Sequence, residues 1–116
     1  MSSSLLWIAL RDVPGLQRPD AHRLLTPADP DFPPELIEIP DPPLAIHVRG
    51  ALPRAPALAV VGARRATVRG REVARGLAAS LAQLGVTIVS GLAYGIDAAA
   101  HRGALDAGGV SVAVLA

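Results

Sequence analysis

In this 116-residue chain the side chains and glycines able to hold an anion or move a proton are concentrated between Val60 and His101. Two glycine-bearing stretches carry them. The first reads Val60-Val61-Gly62-Ala63-Arg64-Arg65-Ala66-Thr67 and the second Val89-Ser90-Gly91-Leu92-Ala93-Tyr94-Gly95-Ile96-Asp97. Each follows a short β-branched run and precedes a helical pattern, which is where open α/β sheets bind phosphate-bearing ligands. Gly62 lets the backbone approach a ligand closely, and Arg64, just past the strand end, can grip a phosphate through two N–H donors. Thr67 either caps the next helix or adds a hydroxyl contact. Ser90, Gly91 and Gly95 offer backbone N–H groups at a helix N-terminus, a second half for an anion cradle. The plainer alternative is that these glycines only make tight strand–helix turns.

The distribution of charge favours a polyanion more than the total does. Formal net charge is only +1. All eleven basic residues are arginine, however, and Arg64, Arg65, Arg69, Arg71 and Arg75 fall within one short stretch opposed only by Glu72. Lysine and asparagine are both absent, so a GC-rich coding sequence accounts for arginine over lysine but not for the clustering. A dinucleotide cofactor does not fit. Gly62-Ala63-Arg64-Arg65 is not G-x-G-x-x-G, and Ser90 stands where an acidic residue would take the ribose hydroxyls.

Asp97 and His101 are four apart and share a helix face, the spacing of an acid–base pair or of two metal ligands. Two ligands make no metal site, and no third His, Cys or carboxylate recurs at a telling spacing, so no metal and no cofactor is expected. The other role is loop support by both Asp97 and His101, with Asp97 favouring its own helix N-terminus and hydrogen-bonding the neighbouring loop.

Strand and helix patterns flank both stretches. Ala57–Val61 reads as a continuous apolar strand buried on both faces. Residues 70–84 read as a helix whose apolar stripe is Val73, Leu77, Leu81 and Leu84, widened by Ala74 and Ala78 and ended by Gly85. Residues 86–89 are a second strand, 96–107 a second helix stopped by Gly108-Gly109, and 110–115 a third strand. Strand–helix–strand–helix–strand with short connections makes a right-handed βαβαβ unit on a parallel sheet, half of a doubly wound fold. A three-stranded half-sheet leaves an edge and a face uncovered, so the sequence is expected to be a fragment of a longer protein or to need a partner.

Upstream, residues 5–12 form an apolar start compatible with a short helix, broken by Val13-Pro14-Gly15-Leu16. That break faintly resembles a helix–hairpin–helix turn, although Gln17 stands where a second glycine would belong. From Thr26 to Pro56 prolines forbid long helices, with one helical turn expected at 31–36 and a strand at 44–49 in an edge or arm position. The expected organisation is a short helical segment (1–25), a proline-rich extended arm packing on the sheet (26–56) and the α/β domain (57–116). No apolar run approaches the roughly 18–20 residues that span a bilayer. The start lacks signal-peptide features and cysteine is absent, so a cytoplasmic protein is expected.

The pattern V-G-x-R-x-x-T followed by S-G-x-A-x-G-I-D-x-x-A-H is met at Val61–Thr67 and Ser90–His101. Phe32-Pro33-Pro34-Glu35-Leu36, Asp41-Pro42-Pro43 and Val48-Arg49-Gly50 lead into it. In these residues the chain resembles the DprA/Smf (DNA-processing protein A) family over about residues 29–116. The resemblance implies a three-layer Rossmann-like parallel sheet, of which the βαβαβ half is present. It implies a non-enzymatic protein that binds single-stranded DNA, protects incoming strands during natural transformation, loads the RecA recombinase and works as a homodimer. Carried across by residue, Arg64 is the prime phosphate contact, Gly62, Ser90, Gly91 and Gly95 shape the pocket, and Arg65 or Arg69 extends it. Tyr94, the one aromatic in the loops, either stacks on a base or packs on a neighbouring loop. The competing reading is a mononucleotide enzyme of the nucleotide phosphoribohydrolase type using Asp97 or His101. The G-G-x-G-T loop expected of that class is absent from the sequence.

Overall fold

A computed structural model describes residues 4–10, 22–50, 52–53 and 55–115. Its strands are β1 (Ser4–Leu10), β2 (His22–Leu25), β3 (Ala45–Arg49), β4 (Ala57–Ala59), β5 (Thr87–Ser90) and β6 (Ser111–Leu115). Two helices, α1 (Val68–Gln83) and α2 (Ile96–Asp106), connect β4 to β5 and β5 to β6. A 3-10 turn at Pro34–Leu36, opened by proline, lies inside the residues expected to form one helical turn.

All six strands join one sheet in the order β2-β3-β1-β6-β5-β4. β4, β5 and β6 run parallel, the expected βαβαβ unit. The rest of the sheet makes it mixed, because β1 is antiparallel to β6 and parallel to β3, while β2 is antiparallel to β3. Two expectations are corrected here. The apolar start is a strand and not a helix. An apolar run with no polar face suits a strand paired on both sides better than a surface helix, and β1 pairs on both sides. The strand at 45–49 is likewise interior, lying between β2 and β1, and β2 takes the edge instead. The Val13–Gln17 turn lies outside the described residues.

Both helices cover the same face of the parallel half. Ala78 and Ala82 of α1, Ile88 of β5, and Ala100 and Ala104 of α2 form one buried cluster. The opposite face belongs to the proline-rich segment. Thr87, Val89 and Val112 look across a cleft of about 880 Å³ at Phe32, Pro33, Leu36 and Leu52. Phe32 anchors that segment in a second cluster with Leu25, Ile46 and Val48. The turn leading to it is tied by the Asp29 carboxylate, which accepts from the Thr26 N–H at 2.7 Å, and by an Arg23–Asp31 ion pair at 2.8 Å.

The buried face of α1 meets the expected one at Ala74, Ala78 and Leu81 and departs from it at the larger residues. Ala74, Ala78 and Ala82 are buried, whereas Val73, Leu77 and Leu84 are 60%, 51% and 79% exposed. Close packing selects the smaller side chains. A Cβ on Gly103 would sit 2.9 Å from the Arg75 carbonyl carbon, and one on Gly109 would sit 2.5 Å from the Ala82 Cβ. Such approach leaves room for alanine between α1 and its neighbours and turns the larger residues outward. β4 is corrected too. Expected to be buried on both faces, it is exposed throughout, because among the described residues it pairs with β5 alone.

Candidate functional site

The two glycine-bearing loops leave the carboxyl ends of neighbouring strands β4 and β5, so parallel pairing alone brings them side by side. Beyond the backbone ladder, where the Val60 N–H donates to the Val89 carbonyl at 2.9 Å, four hydrogen bonds tie them together. The Ser90 hydroxyl donates to the Val60 carbonyl at 2.6 Å, and the Ile96 N–H donates to the Ala63 carbonyl at 3.2 Å. Asp97 supplies the other two, its Oδ1 accepting from the Gly62 N–H at 3.3 Å and its Oδ2 from the Gly91 N–H at 3.1 Å. Asp97 is buried, in the first turn of α2. There its charge complements the partial positive charge of the helix N-terminus.

Asp97 therefore occupies the place in which an anion cradle was expected. Two of the backbone donors that the sequence offered to a phosphate, Gly62 and Gly91, are taken by a carboxylate from within the chain. The Ser90 hydroxyl proton is taken as well.

Glycine is required where the loops meet. Gly95 has φ 80° and ψ −122°, a combination that L-residues scarcely populate. A Cβ there would meet the carbonyl oxygens of Ala63 and Arg64. The Gly95 peptide thus rests directly on the peptide that carries the Arg64 side chain. Gly62 is equally close to its neighbour, since a Cβ on it would lie 2.8 Å from Ile96 Cγ1.

His101 lies one helical turn beyond Asp97 and is also buried. Its Nε2 accepts from the Leu92 N–H at 3.3 Å, and its Nδ1 lies 2.5 Å from Ser111 Oγ. Burial pushes the imidazole below its ordinary value of 6.5, against a smaller upward pull from the Asp97 carboxylate. Leu92 has φ 62°, which makes it the non-glycine residue in the left-handed region among the described residues. That conformation costs about 1–2 kcal/mol for an L-residue. Neither Leu92 nor Ser111 stands out in the sequence as a functional residue. Ser111 leaves a signal, being a polar residue inside the apolar run Val110–Leu115; the backbone angle of Leu92 leaves none.

The arginine cluster divides into two groups. Arg75 pairs with Asp106 across the α1–α2 interface, and Arg71 donates to the Ala66 carbonyl at 3.0 Å. Arg64, Arg65 and Arg69 are exposed and have no ion-pair or hydrogen-bond partner among the described residues. Thr67 is the N-cap of α1, its hydroxyl oxygen accepting from the Gly70 N–H at 3.0 Å. Tyr94, at the outer end of the second loop, is 83% exposed. No group of three or more His, Cys, Asp or Glu side chains suited to a metal occurs among the described residues. No helix there is long and apolar enough to cross a membrane.

Fold and site together define a Rossmann-like α/β domain with interlocked strand–helix loops and a cationic surface beside them. Residues 23–116 match the family described as DNA recombination-mediator protein A, and the chain belongs to that family. Protein Smf of Escherichia coli (strain K12) is 44% identical over 118 residues, covering 99% of this chain and 29% of that protein. Protein Smf of Synechocystis sp. (strain PCC 6803) is 42% identical over 99 residues, covering 80% of this chain and 25% of its own length. The putative DNA processing protein DprA of Mycobacterium tuberculosis (strain H37Rv) is 63% identical over 60 residues, covering 52% of this chain and 15% of its own length. The chain thus spans less than a third of the length of these curated relatives.

Proposed function

We infer that this chain carries the single-stranded DNA-binding loops of a DNA-processing protein. In this reading the protein protects incoming strands during natural transformation and promotes RecA loading, acting in the cytoplasm as a homodimer. The observation that carries the reading is the set of three exposed guanidinium groups without a partner among the described residues, Arg64, Arg65 and Arg69, beside two loops locked to one another. Sequence-independent strand binding needs cations aimed at phosphates and tolerates any base.

Because Asp97 already takes the Gly62 and Gly91 amides, the phosphate contacts fall to side chains, with Arg64 first and Arg65 and Arg69 extending the track. Gly62, Ser90, Gly91 and Gly95 then serve by fixing the loop geometry. Thr67 sets the start of α1, and Tyr94 offers its exposed ring as a stacking surface for a base. The mononucleotide-enzyme alternative would need Asp97 or His101 as its working group, and both are committed to loop hydrogen bonds.

Fluorescence anisotropy of labelled oligonucleotides, titrated with salt, tests this reading on the intact protein. Arg64→Ala should weaken binding to all sequences alike and flatten the salt dependence. Unchanged affinity and slope would remove Arg64 from the site.

A further inference from the structure

Two acceptors on one face of α2 meet two successive amides of the second loop. Asp97 Oδ2 takes the Gly91 N–H and His101 Nε2 takes the Leu92 N–H. The i, i+4 spacing that suggests an acid–base pair instead serves as a ruler for consecutive backbone donors.

Hydrogen-bond accounting fixes the state of His101. The Leu92 N–H can only donate to Nε2, so the proton of the neutral ring sits on Nδ1 and the Ser111 hydroxyl is left to donate its own proton to the Ile88 carbonyl oxygen 3.2 Å away. Toward His101 the same hydroxyl then accepts from Nδ1. Nε2 is left with its lone pair, and that lone pair faces the Leu92 N–H. A second proton on the ring would set one donor against another at this point. The buried surroundings, which disfavour a charged imidazole, act in the same direction.

We propose that His101 is a positioning residue, a neutral Nδ1–H imidazole that relays the position of β5 and β6 to the second loop. Its Nε2 holds Leu92 in the left-handed conformation. That backbone turn sets the path from Gly91 to Gly95, and with it the direction of Tyr94 and the seating of Gly95 on the Ala63–Arg64 peptide. The geometric part stands independently; its consequence for DNA rests on the single-stranded DNA reading.

Two substitutions in the intact protein separate the ends of the ring. In His101→Gln the side-chain oxygen can reach the Leu92 N–H, whereas in His101→Asn the shorter amide can serve Ser111 but not Leu92. Hydrogen exchange at the Leu92 amide reads the loop, thermal unfolding reads the fold, and anisotropy with labelled oligothymidylate reads binding. His101→Gln is expected to keep Leu92 protection and affinity. His101→Asn, at matched thermal stability, is expected to speed Leu92 exchange by about tenfold, the effect of one bond of ordinary strength, and to weaken oligothymidylate binding. Equal Leu92 protection in both variants and the parent protein would overturn the proposal, as would nitrogen-15 shifts placing the imidazole proton on Nε2. Arg64→Ala is the control for the functional reading. If it binds oligothymidylate like the parent, that reading fails, while Leu92 exchange still decides the role of His101.

Discussion

Gly62 and Asp97 are thirty-five residues apart in sequence, yet the Gly62 amide donates to the Asp97 carboxylate at 3.3 Å. The other oxygen of the same carboxylate holds the Gly91 amide, so one side chain sets the spacing of two loops. Asp97→Asn keeps the shape but presents one acceptor and one donor to two N–H groups. It should cost about 1.5–3 kcal/mol, the worth of a hydrogen bond to a charged acceptor. Urea unfolding of the parent and variant would measure the loss.

Two glycines with similar φ should respond differently to alanine. Gly85, at φ 85°, has open space around its Cβ position, so Gly85→Ala carries only the left-handed cost of about 1–2 kcal/mol. Gly95→Ala adds a clash with backbone carbonyls of the first loop. It should exceed about 3 kcal/mol and reduce DNA binding together with stability. Parallel thermal melts and anisotropy would rank the two.

Stability should depend on pH through His101. Its folded-state pKa lies below the unfolded value of 6.5, so between the two values the unfolded chain binds more protons. This contribution is fully present above 6.5 and is lost as pH falls from 6.5 toward the folded pKa. Asp97 on the same helix opposes the shift, and Ser111 on β6 and the Leu92 amide face the ring as neutral groups. Urea midpoints measured across that range should fall with acidity in the parent. The fall should be shallower in His101→Gln, which has no imidazole to charge.

The engaged and unpartnered arginines should separate in salt titrations. On a single strand, removing one phosphate-binding cation lowers the slope of log affinity against log salt by about 0.7. Arg64→Ala, Arg65→Ala and Arg69→Ala are each expected to show such a drop. Arg75→Ala instead breaks an exposed ion pair with Asp106. It should leave the slope unchanged and cost about 0–1 kcal/mol of stability.

The βαβαβ order is legible in the sequence because its signals are local. Gly85 ends α1 at φ 85°, and the runs read at 86–89 and 110–115 supply the neighbouring parallel strands β5 and β6. The buried stripe of α1 is not legible in the same way. Periodicity ranks residues by hydrophobicity, whereas the closeness of the packing selects by size, so Ala82 joins the expected Ala74 and Ala78 while Val73 and Leu77 turn outward. β1 escapes for another reason: a short apolar run carries no periodicity that separates a strand from a helix. In the site, the residue types are visible, but their allegiance is not. Whether the Gly62 and Gly91 amides face a ligand or a carboxylate of the same chain depends on where α2 begins relative to both loops, which is a tertiary fact.

The central position of β1 also bears on how the sheet comes together. Leu6 pairs with Leu115 on one side of it and Leu5 with Ile46 on the other. The two halves of the sheet are therefore joined through a strand from the first ten residues, and its partner β6 is synthesised last among the strands described. During synthesis β1 has only β3 to rest on until β6 emerges, so closing the sheet is a high-contact-order event. The locally connected unit of β4, α1, β5 and α2 is free to assemble first, so the two glycine-bearing loops depend for their shape on local contacts more than on closure of the whole sheet.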